Sequence, residues 1–570
     1  MNMKKILLTI LSVILPISIF AQDTFTSAAS GNWSSNGSWT NITNNGDADG
    51  VPDSDDTVVI GSGHDIIVDA TTTVSALTVN SSSGTSLKLE ADLTVSNNLT
   101  LNDHMRLASG NLTVGGDLTN TDFIRIDAGQ YLYMSNSTKT LTNNGRITVN
   151  SGSDNLGRII VMGTIDDNGG EENIYQRYIN GTGDAGTSTG WDLIGLPTSD
   201  TSINDFVDTN DDVASNGSGN SILYGVGFYD PEDNDWETYG GSATENNIVS
   251  AGNFVVGKGY QMATTSGSAV EFAGSLNTGD LTTAIRNWDL DDDSDMSDGS
   301  RFNLVANPYL SFIYANDNTD NTNNLITANA SVLHANGQAL YFWDGDEYIT
   351  VNHSTTSTYQ YVAPFQGFMV MAKTTGSNTN FSFTRAMQTV SGTNDAIGDI
   401  MDDDTGELFI GISQLGIDRR TEIYFSDDGT DALDPGFDAA AFSILDVYAY
   451  TRLISNDDST DGVNFAIQTL AYSEMWDKVI PLGINALGGE EMTISISHRT
   501  TPADLNIYLE DTEEGTMTNL LEDDFVYTPT SDLSGVGRFF IHMSADTMSN
   551  EEVSTSMLNA YKEIDASYIT

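Results

Sequence analysis

Short apolar beats dominate the first third of the chain. From Leu77 to Met162 an apolar–x–apolar triplet followed by polar turn residues recurs as Leu77-Thr78-Val79, Leu87-Lys88-Leu89, Leu93-Thr94-Val95, Leu99-Thr100-Leu101, Met105-Arg106-Leu107, Leu112-Thr113-Val114, Ile124-Arg125-Ile126 and Ile147-Thr148-Val149. Between Leu87 and Leu112 the triplets start about six residues apart, too close for hairpins built from strands of usual length. Alternation places the two apolar residues of each triplet on one face of an extended segment. Three such units make one triangular coil whose rungs bury their apolar pairs on one another, which predicts a short parallel β-solenoid. An antiparallel meander of short strands is the competing arrangement.

Further on the pattern lengthens and repeats. Trp191-Asp192-Leu193-Ile194-Gly195-Leu196-Pro197 returns as Phe302-Asn303-Leu304-Val305-Ala306-Asn307-Pro308, with the prolines 111 positions apart. Tyr229-Asp230 then matches Trp343-Asp344, Gly259-Tyr260 matches Gly367-Phe368, and Phe272 matches Phe383, again 111 positions on. Each half alternates apolar and polar residues between Gly, Asn and Asp turns, so two related β-sandwich-like halves are expected, 171–281 and 282–398. An acidic linker, 399–406, leads to strand candidates such as Phe409-Ile410-Gly411-Ile412, Val479-Ile480-Pro481-Leu482 and Phe539-Phe540-Ile541. Their number over 407–545 predicts an immunoglobulin-like β-sandwich. Helix is scarce, with Met557 to Ile564 in the tail 546–570 the best candidate. The expected class is all-β.

Residues 22–170 combine the solenoid with a leading segment that contains Gly31-Asn32-Trp33, Ser38-Trp39, Val51-Pro52, Asp56-Thr57-Val58-Val59-Ile60 and Ile66-Ile67-Val68-Asp69. This order resembles the eight-glycine domain that heads many extracellular β-helix proteins, and implies a cap in which Trp33 and Trp39 close the open end. The regions after it resemble the body of bacterial surface proteins exported by the type IX secretion system. That likeness rests on Gly190-Trp191-Asp192-Leu193-Ile194, Gly257-Lys258-Gly259-Tyr260, Phe365-Gln366-Gly367-Phe368, Gly436-Phe437-Asp438, Ile480-Pro481-Leu482-Gly483 and Gly537-Arg538-Phe539. It implies secretion and a cell-surface or extracellular location, and transfers no catalytic residue. Such proteins usually end in a sorting sandwich with a Tyr-Pro-Asn-Pro-like start. The sequence stops at Thr570 without one, so either a truncated product or another sorting route is expected.

Charge narrows the partners. Against 21 Lys and Arg stand 80 Asp and Glu, a net charge of −59, which repels nucleic acid and anionic membranes. The absence of cysteine excludes disulfides, thiolate catalysis and Cys-bound metals. Met1 to Ala21 reads as a signal peptide, with Lys4 and Lys5 before the apolar run Ile6 to Phe20, and the mature chain is expected to have no transmembrane segment. The expected partner is a cell-surface or extracellular polysaccharide or protein.

The clearest chemistry is for a hard cation. In Asn45 to Asp56, oxygen side chains of Asn45, Asp47, Asp49, Asp53 and Asp56 fall at positions 1, 3, 5, 9 and 12 around Gly50 at position 6. That spacing turns alternate residues inward over a sharp bend, as in a calcium loop, and resembles a thrombospondin type-3 repeat. Asp289, Asp291, Asp293, Asp295 and Asp298 form a second acidic cluster, and Asp208, Asn210, Asp211 and Asp212 a third. The predicted cofactor is structural Ca2+. His64, His104, His334, His353, His498 and His542 lack metal-ligand spacing, and Gly186-Thr187-Ser188-Thr189-Gly190 matches G-x-S-x-G without the strand-to-helix context. The sequence points to a secreted structural or adhesion protein with calcium-stiffened loops. The alternative is an extracellular carbohydrate-active enzyme or binding subunit, which requires an aromatic-lined cleft with two carboxylates about 5–10 Å apart.

Overall fold

A computed structural model describes residues 22–45, 49–80, 85–168, 173–182, 190–198, 201–276, 279–289, 299–318, 320–355, 361–392, 406–442, 445–455, 460 and 462–544. The expected signal peptide, most of the acidic linker and the tail with its Met557–Ile564 helix lie outside them. The protein is predominantly β, with 48% of residues in strands and 7% in helices. No helix among the described residues is long and apolar enough to cross a membrane.

The N-terminal strands are dealt in rotation to three sheets that run parallel through this region. Leu77, Leu99, Leu118 and Leu141 stack in one sheet. Leu87, Met105, Ile124 and Ile147 stack in the second. Leu93, Leu112, Leu132 and Ile159 stack in the third. All of these side chains are buried, each contributing roughly 1.5–3 kcal/mol on leaving water. The middle residue of each triplet points outward and is only partly covered.

Two strands break the apolar rule. Leu118–Asn120 and Thr140–Asn143 end in inward-facing asparagines that are 0% and 1% exposed. Asn120 Nδ2 donates to Asn143 Oδ1 at 2.7 Å, and Asn143 Nδ2 donates to Asn173 Oδ1 at 3.1 Å and Asp167 Oδ1 at 3.0 Å. A buried amide is tolerated when its polar atoms are matched, and stacking the same side chain in register matches them. At the corners successive coils approach so closely that a Cβ on Gly145 would lie 2.0 Å from the Asp122 carbonyl oxygen.

An antiparallel strand lies at each end of this stack. At the front, Thr24–Ser27 pairs antiparallel with Trp39–Asn41 and parallel with Thr57–Ile60. Trp33 and Trp39 are buried edge to face at 4.7 Å, with their indole nitrogens donating to the Pro52 and Trp33 carbonyls. At the back, Ile174–Ile179 continues the second sheet and pairs antiparallel with Ser268–Ala273. The core therefore crosses residue 170 without a break. Tyr175, Ile179 and Phe272 belong to the same apolar cluster as Leu99 and Ile147.

The two middle segments carry the same pairings in the same register. Ile194 faces Tyr260 and Leu193 faces Gln261; Val305 faces Phe368 and Leu304 faces Met369. Pro197 and Pro308 each follow the corresponding strand, Asp192–Ile194 and Phe302–Ala306. Among the described residues each copy has one short α-helix, Ile203–Thr209 and Leu325–Asn329, capped by Ser202 and Asn324. An asparagine clamps each helix to a strand. Asn210 donates to the Phe206 and Glu271 carbonyls and accepts from the Glu271 amide. Asn329 does the same with Leu325 and Ser382.

The copies meet about a local two-fold. Ile194 bridges Gln366 as Val305 bridges Lys258. The Gly195 amide donates to the Phe365 carbonyl as the Ala306 amide donates to that of Gly257. Gly257 has φ +82°, and its counterpart Phe365 has φ +63°, a left-handed conformation that costs a non-glycine residue about 1–3 kcal/mol. The strain is offset by packing, because the Phe365 ring is buried in the first copy's core 6.3 Å from Phe272.

The last region differs from the two-sheet arrangement expected for 407–545. Its strands form one mixed eleven-stranded sheet that curls into a nearly closed barrel. Glu422–Ser426 even runs parallel to Ile467–Ala471. Its inner face holds Leu408, Ile410, Ile423, Leu482 and Ile541. Its outer face is also apolar, because Phe409, Tyr424 and Phe465 pack on Phe302, Tyr341 and Met369 of the second copy. The Tyr341 hydroxyl donates to the Ala440 carbonyl across this contact at 2.9 Å.

Candidate metal centre in the cap

The expected calcium loop lies where the cap meets the first coil. Asp53, Asp55 and Asp56 can each bring one carboxylate oxygen within 4.8 Å of the others, and they form the one such acidic group among the described residues. Two are members of the predicted set; Asp55 is not. Asp56 is 2% exposed, and its two oxygens accept the amides of Asp23 at 3.0 Å and Asp53 at 2.8 Å. These two bonds lock the turn. One Asp55 oxygen is buried without a partner. The Asp53 carboxyl is held above its ordinary value by desolvation and by its Asp55 and Asp49 neighbours. A hard cation would relieve this repulsion and take oxygen ligands, so the residues present fit Ca2+.

The other predicted ligands are placed differently. The Asn45 side-chain amide donates to the Gln22 carbonyl, and an Asp49 oxygen accepts the Val51 amide within its own turn. Asp47 lies outside the described residues, as do Asp291, Asp293, Asp295 and Asp298 of the second cluster. Asp289 of that cluster is fully buried and paired with Arg301 at 2.7 Å. In the third group Asn210 is the helix clamp, Asp208 accepts from Asn204 and Asp212 accepts from Ser266.

Polar partners also occupy the histidines. His353 pairs with Asp317, His498 with Glu407 and His542 with Glu510. His334 accepts the Asn336 amide, and the His104 ring lies 4.6 Å from that of Phe123. His64 Nδ1 is 2.8 Å from Ser27 Oγ, the geometry of a nucleophile and its base. That hydroxyl already accepts the Gly61 amide, and no carboxylate orients the other ring nitrogen among the described residues. The Gly186–Gly190 match lies outside the described residues except for Gly190. A cleft of about 270 Å³ against the last sheet holds Glu347 and Asp418 among arginines and serines, with no aromatic side chain in its lining. Burial pushes Glu347 up to about 7, against the pull of Arg419.

No curated protein and no solved structure matches the chain. The cap, the coils and the acidic triad fall outside the family match, which begins within the first copy and ends in the last sheet. Residues 226–543, more than half of the chain, match the family described as a domain of unknown function, DUF8693, and the protein belongs to that family.

Proposed function

We propose that the protein is a secreted structural or adhesion protein of the cell surface or extracellular space. On this reading residues 1–21 direct export, and a short parallel β-solenoid capped at its front carries two β-sandwich-like halves and the curled last sheet. Ca2+ stiffens the cap loop. The observation that supports it most is the unbroken chain of cores. The cap tryptophans and the coils share one apolar cluster with the first copy, and the second copy shares another with the last sheet. Such coupling suits a rigid spacer. The likeness to type IX secretion-system cargo and the acidic composition agree with an extracellular address.

The test is calcium against chelator at fixed high ionic strength, read as thermal melting of the mature chain. Extracellular calcium modules have Kd on the order of 10⁻⁴–10⁻³ M, so about 10 mM calcium adds roughly 1.4–2.7 kcal/mol per site. The shift should vanish in Asp53→Asn/Asp55→Asn. If calcium moves neither curve, the cap loop is an acidic turn. Protease treatment of intact cells tests the address, and a chain protected as fully as cytoplasmic markers would refute it.

A further inference from the structure

A depression of about 290 Å³ opens where the two copies meet. Tyr229 and Lys258 come from the first copy; Arg286, Trp288, Asn303 and Leu304 come from the second. In a chain with 80 acidic and 21 basic side chains, two cations converge here with no ion-pair partner among the described residues. The Lys258 ammonium lies 4.9 Å from the Phe228 ring and 5.6 Å from the Tyr260 ring. The Arg286 guanidinium lies 3.5 Å from the Trp288 ring centre, and its Nε is buried with no hydrogen-bond partner. Neither cation forms an ion pair among the described residues. Of the nearby acids, Asp289 is neutralised by Arg301, and Asp230 acts on Lys258 through space while accepting the Glu232 amide.

The other copy shows what the fold alone requires. The pairings place Asn180 where the second copy has Arg286, Asp192 where it has Asn303, and Gln366 where the first has Lys258. The Asn180 amide donates to Asp192 at 2.7 Å as the Arg286 amide donates to Asn303 at 3.0 Å. Either acceptor satisfies the backbone. The second copy therefore replaces a carboxylate by an amide and adds a cation, while Lys258 supplies another from across the junction. Arg177, at the place of Thr283, is buried in the first copy. What holds the two cations here is their ring contacts rather than an ion pair among the described residues.

We propose that this pocket binds the carboxylate of an acidic sugar unit within a mostly neutral polysaccharide. Guanidinium matches a carboxylate in a planar, two-point geometry, and the ammonium adds a point charge. The volume lies near the lower end of the roughly 300–1,000 Å³ typical of small-molecule sites, too large for a bare small anion and suited to one sugar ring. Val255, 54% exposed, forms part of an open rim along which a glycan chain can continue. A uniform polyuronate would be repelled by the net charge of −59, whereas an isolated acid meets only the local field, since distant charges are screened within about 8 Å at physiological salt. The inference deepens the adhesive reading by naming the partner's chemistry, and rests on residues remote from the calcium loop.

The experiment uses the full mature chain with chelator present, so that calcium cannot bridge a glycan to the acidic surface. Saturation-transfer NMR and calorimetry compare a xylo-oligosaccharide carrying one glucuronate, its methyl ester, and acetate. The acid should bind, the ester at least 10-fold more weakly, and acetate should fail to compete at equal concentration. Lys258→Gln/Arg286→Asn, which installs the residues of the other copy, should bind at least 10-fold more weakly while still melting cooperatively. Equal binding of acid and ester, no binding of the acid, or full competition by acetate overturns the proposal, and none of these needs the variant to fold. A folded double variant that binds as well as the parent also overturns it. Absent glycan binding alongside a calcium-dependent melting shift would remove this inference and leave the calcium reading standing.

Discussion

Replacing Asn143 by leucine should loosen the coil region far more than its modest change in volume suggests. The side chain is 1% exposed and makes three hydrogen bonds within the stacked amides. Its loss costs unevenly. Asp167 is only partly buried and can turn to water, and Asn173 Oδ1 still accepts the Ile147 amide at 2.8 Å. Asn120 Nδ2, by contrast, keeps only a 3.4 Å contact to the Arg146 carbonyl in a fully buried site. One stranded donor at about 1–3 kcal/mol, plus the net loss of the two remaining bonds at about 0.5–1.5 kcal/mol each, gives roughly 2–6 kcal/mol. Hydrogen exchange by mass spectrometry should therefore show the amides of Arg146–Val149 exchanging about 30- to 25,000-fold faster. Asn97→Ala, which removes an exposed amide bond to Ser75 Oγ, should change exchange by less than about 0.5 kcal/mol. Leucine at Asn120 as well removes the stranded donor, so the double variant should be no worse than Asn143→Leu alone. If Asn143→Leu behaves like Asn97→Ala, the buried amides do not stabilise this region.

Three further outcomes are expected. Gly145→Ala should lower stability by about 3 kcal/mol or prevent folding, because its Cβ would meet backbone at 2.0 Å rather than a side chain that can turn away; unchanged denaturant unfolding would refute the close approach. Phe365→Gly should cost less than Phe365→Ala by about 1 kcal/mol, reversing the usual order because glycine relieves the left-handed backbone; the reverse ranking in melting would show that this φ carries no strain. Glu347 is raised from 4.5 to about 7 in the folded chain, so the unfolded state holds fewer protons between these values and stability falls as pH rises through them. Glu347→Gln should gain up to about 3 kcal/mol at pH 8 and nothing at pH 4, and a gain of equal size at both would exclude titration as the cause.

Much of the N-terminal region is legible in the sequence because leucine–threonine–leucine alternation can bury only one face. Leu118-Thr119-Asn120 and Leu141-Thr142-Asn143 escape that reading, since an inward asparagine is acceptable only when another stands above or below it, a relation between residues more than twenty positions apart. The match of the two copies was visible in their aromatics and prolines. Their asparagine clamps were not, because Asn210 and Asn329 sit at different distances from Glu271 and Ser382 in asparagine-rich stretches. In the last region Phe409 and Ile410 are both buried, on opposite faces. A strand apolar on both sides gives no sign of which strand it pairs with, so the single curled sheet was unreadable. The calcium spacing points to the loop that holds the acidic group, but local turns use Asn45 and Asp49 and leave Asp55 beside Asp53 and Asp56. The paired cations were hidden by the overall charge, because Lys258 and Arg286 meet only through the junction of the copies.

The antiparallel strands at the two ends of the stacked sheets also bear on how this protein stays a single molecule. An open parallel edge offers a row of unsatisfied amides and carbonyls to any other chain with the same spacing. Trp39–Asn41 at the front of the first sheet and Ser268–Ala273 at the back of the second run against the direction of the strands they cover, so those two edges do not offer the parallel template that another copy would need. The second of these strands lies almost a hundred residues beyond the last coil in the chain, and covering that edge of the second sheet thus depends on the first copy having folded. A fragment ending near residue 170 would retain every coil while exposing the edge that the intact chain conceals, and self-association would be its natural fate.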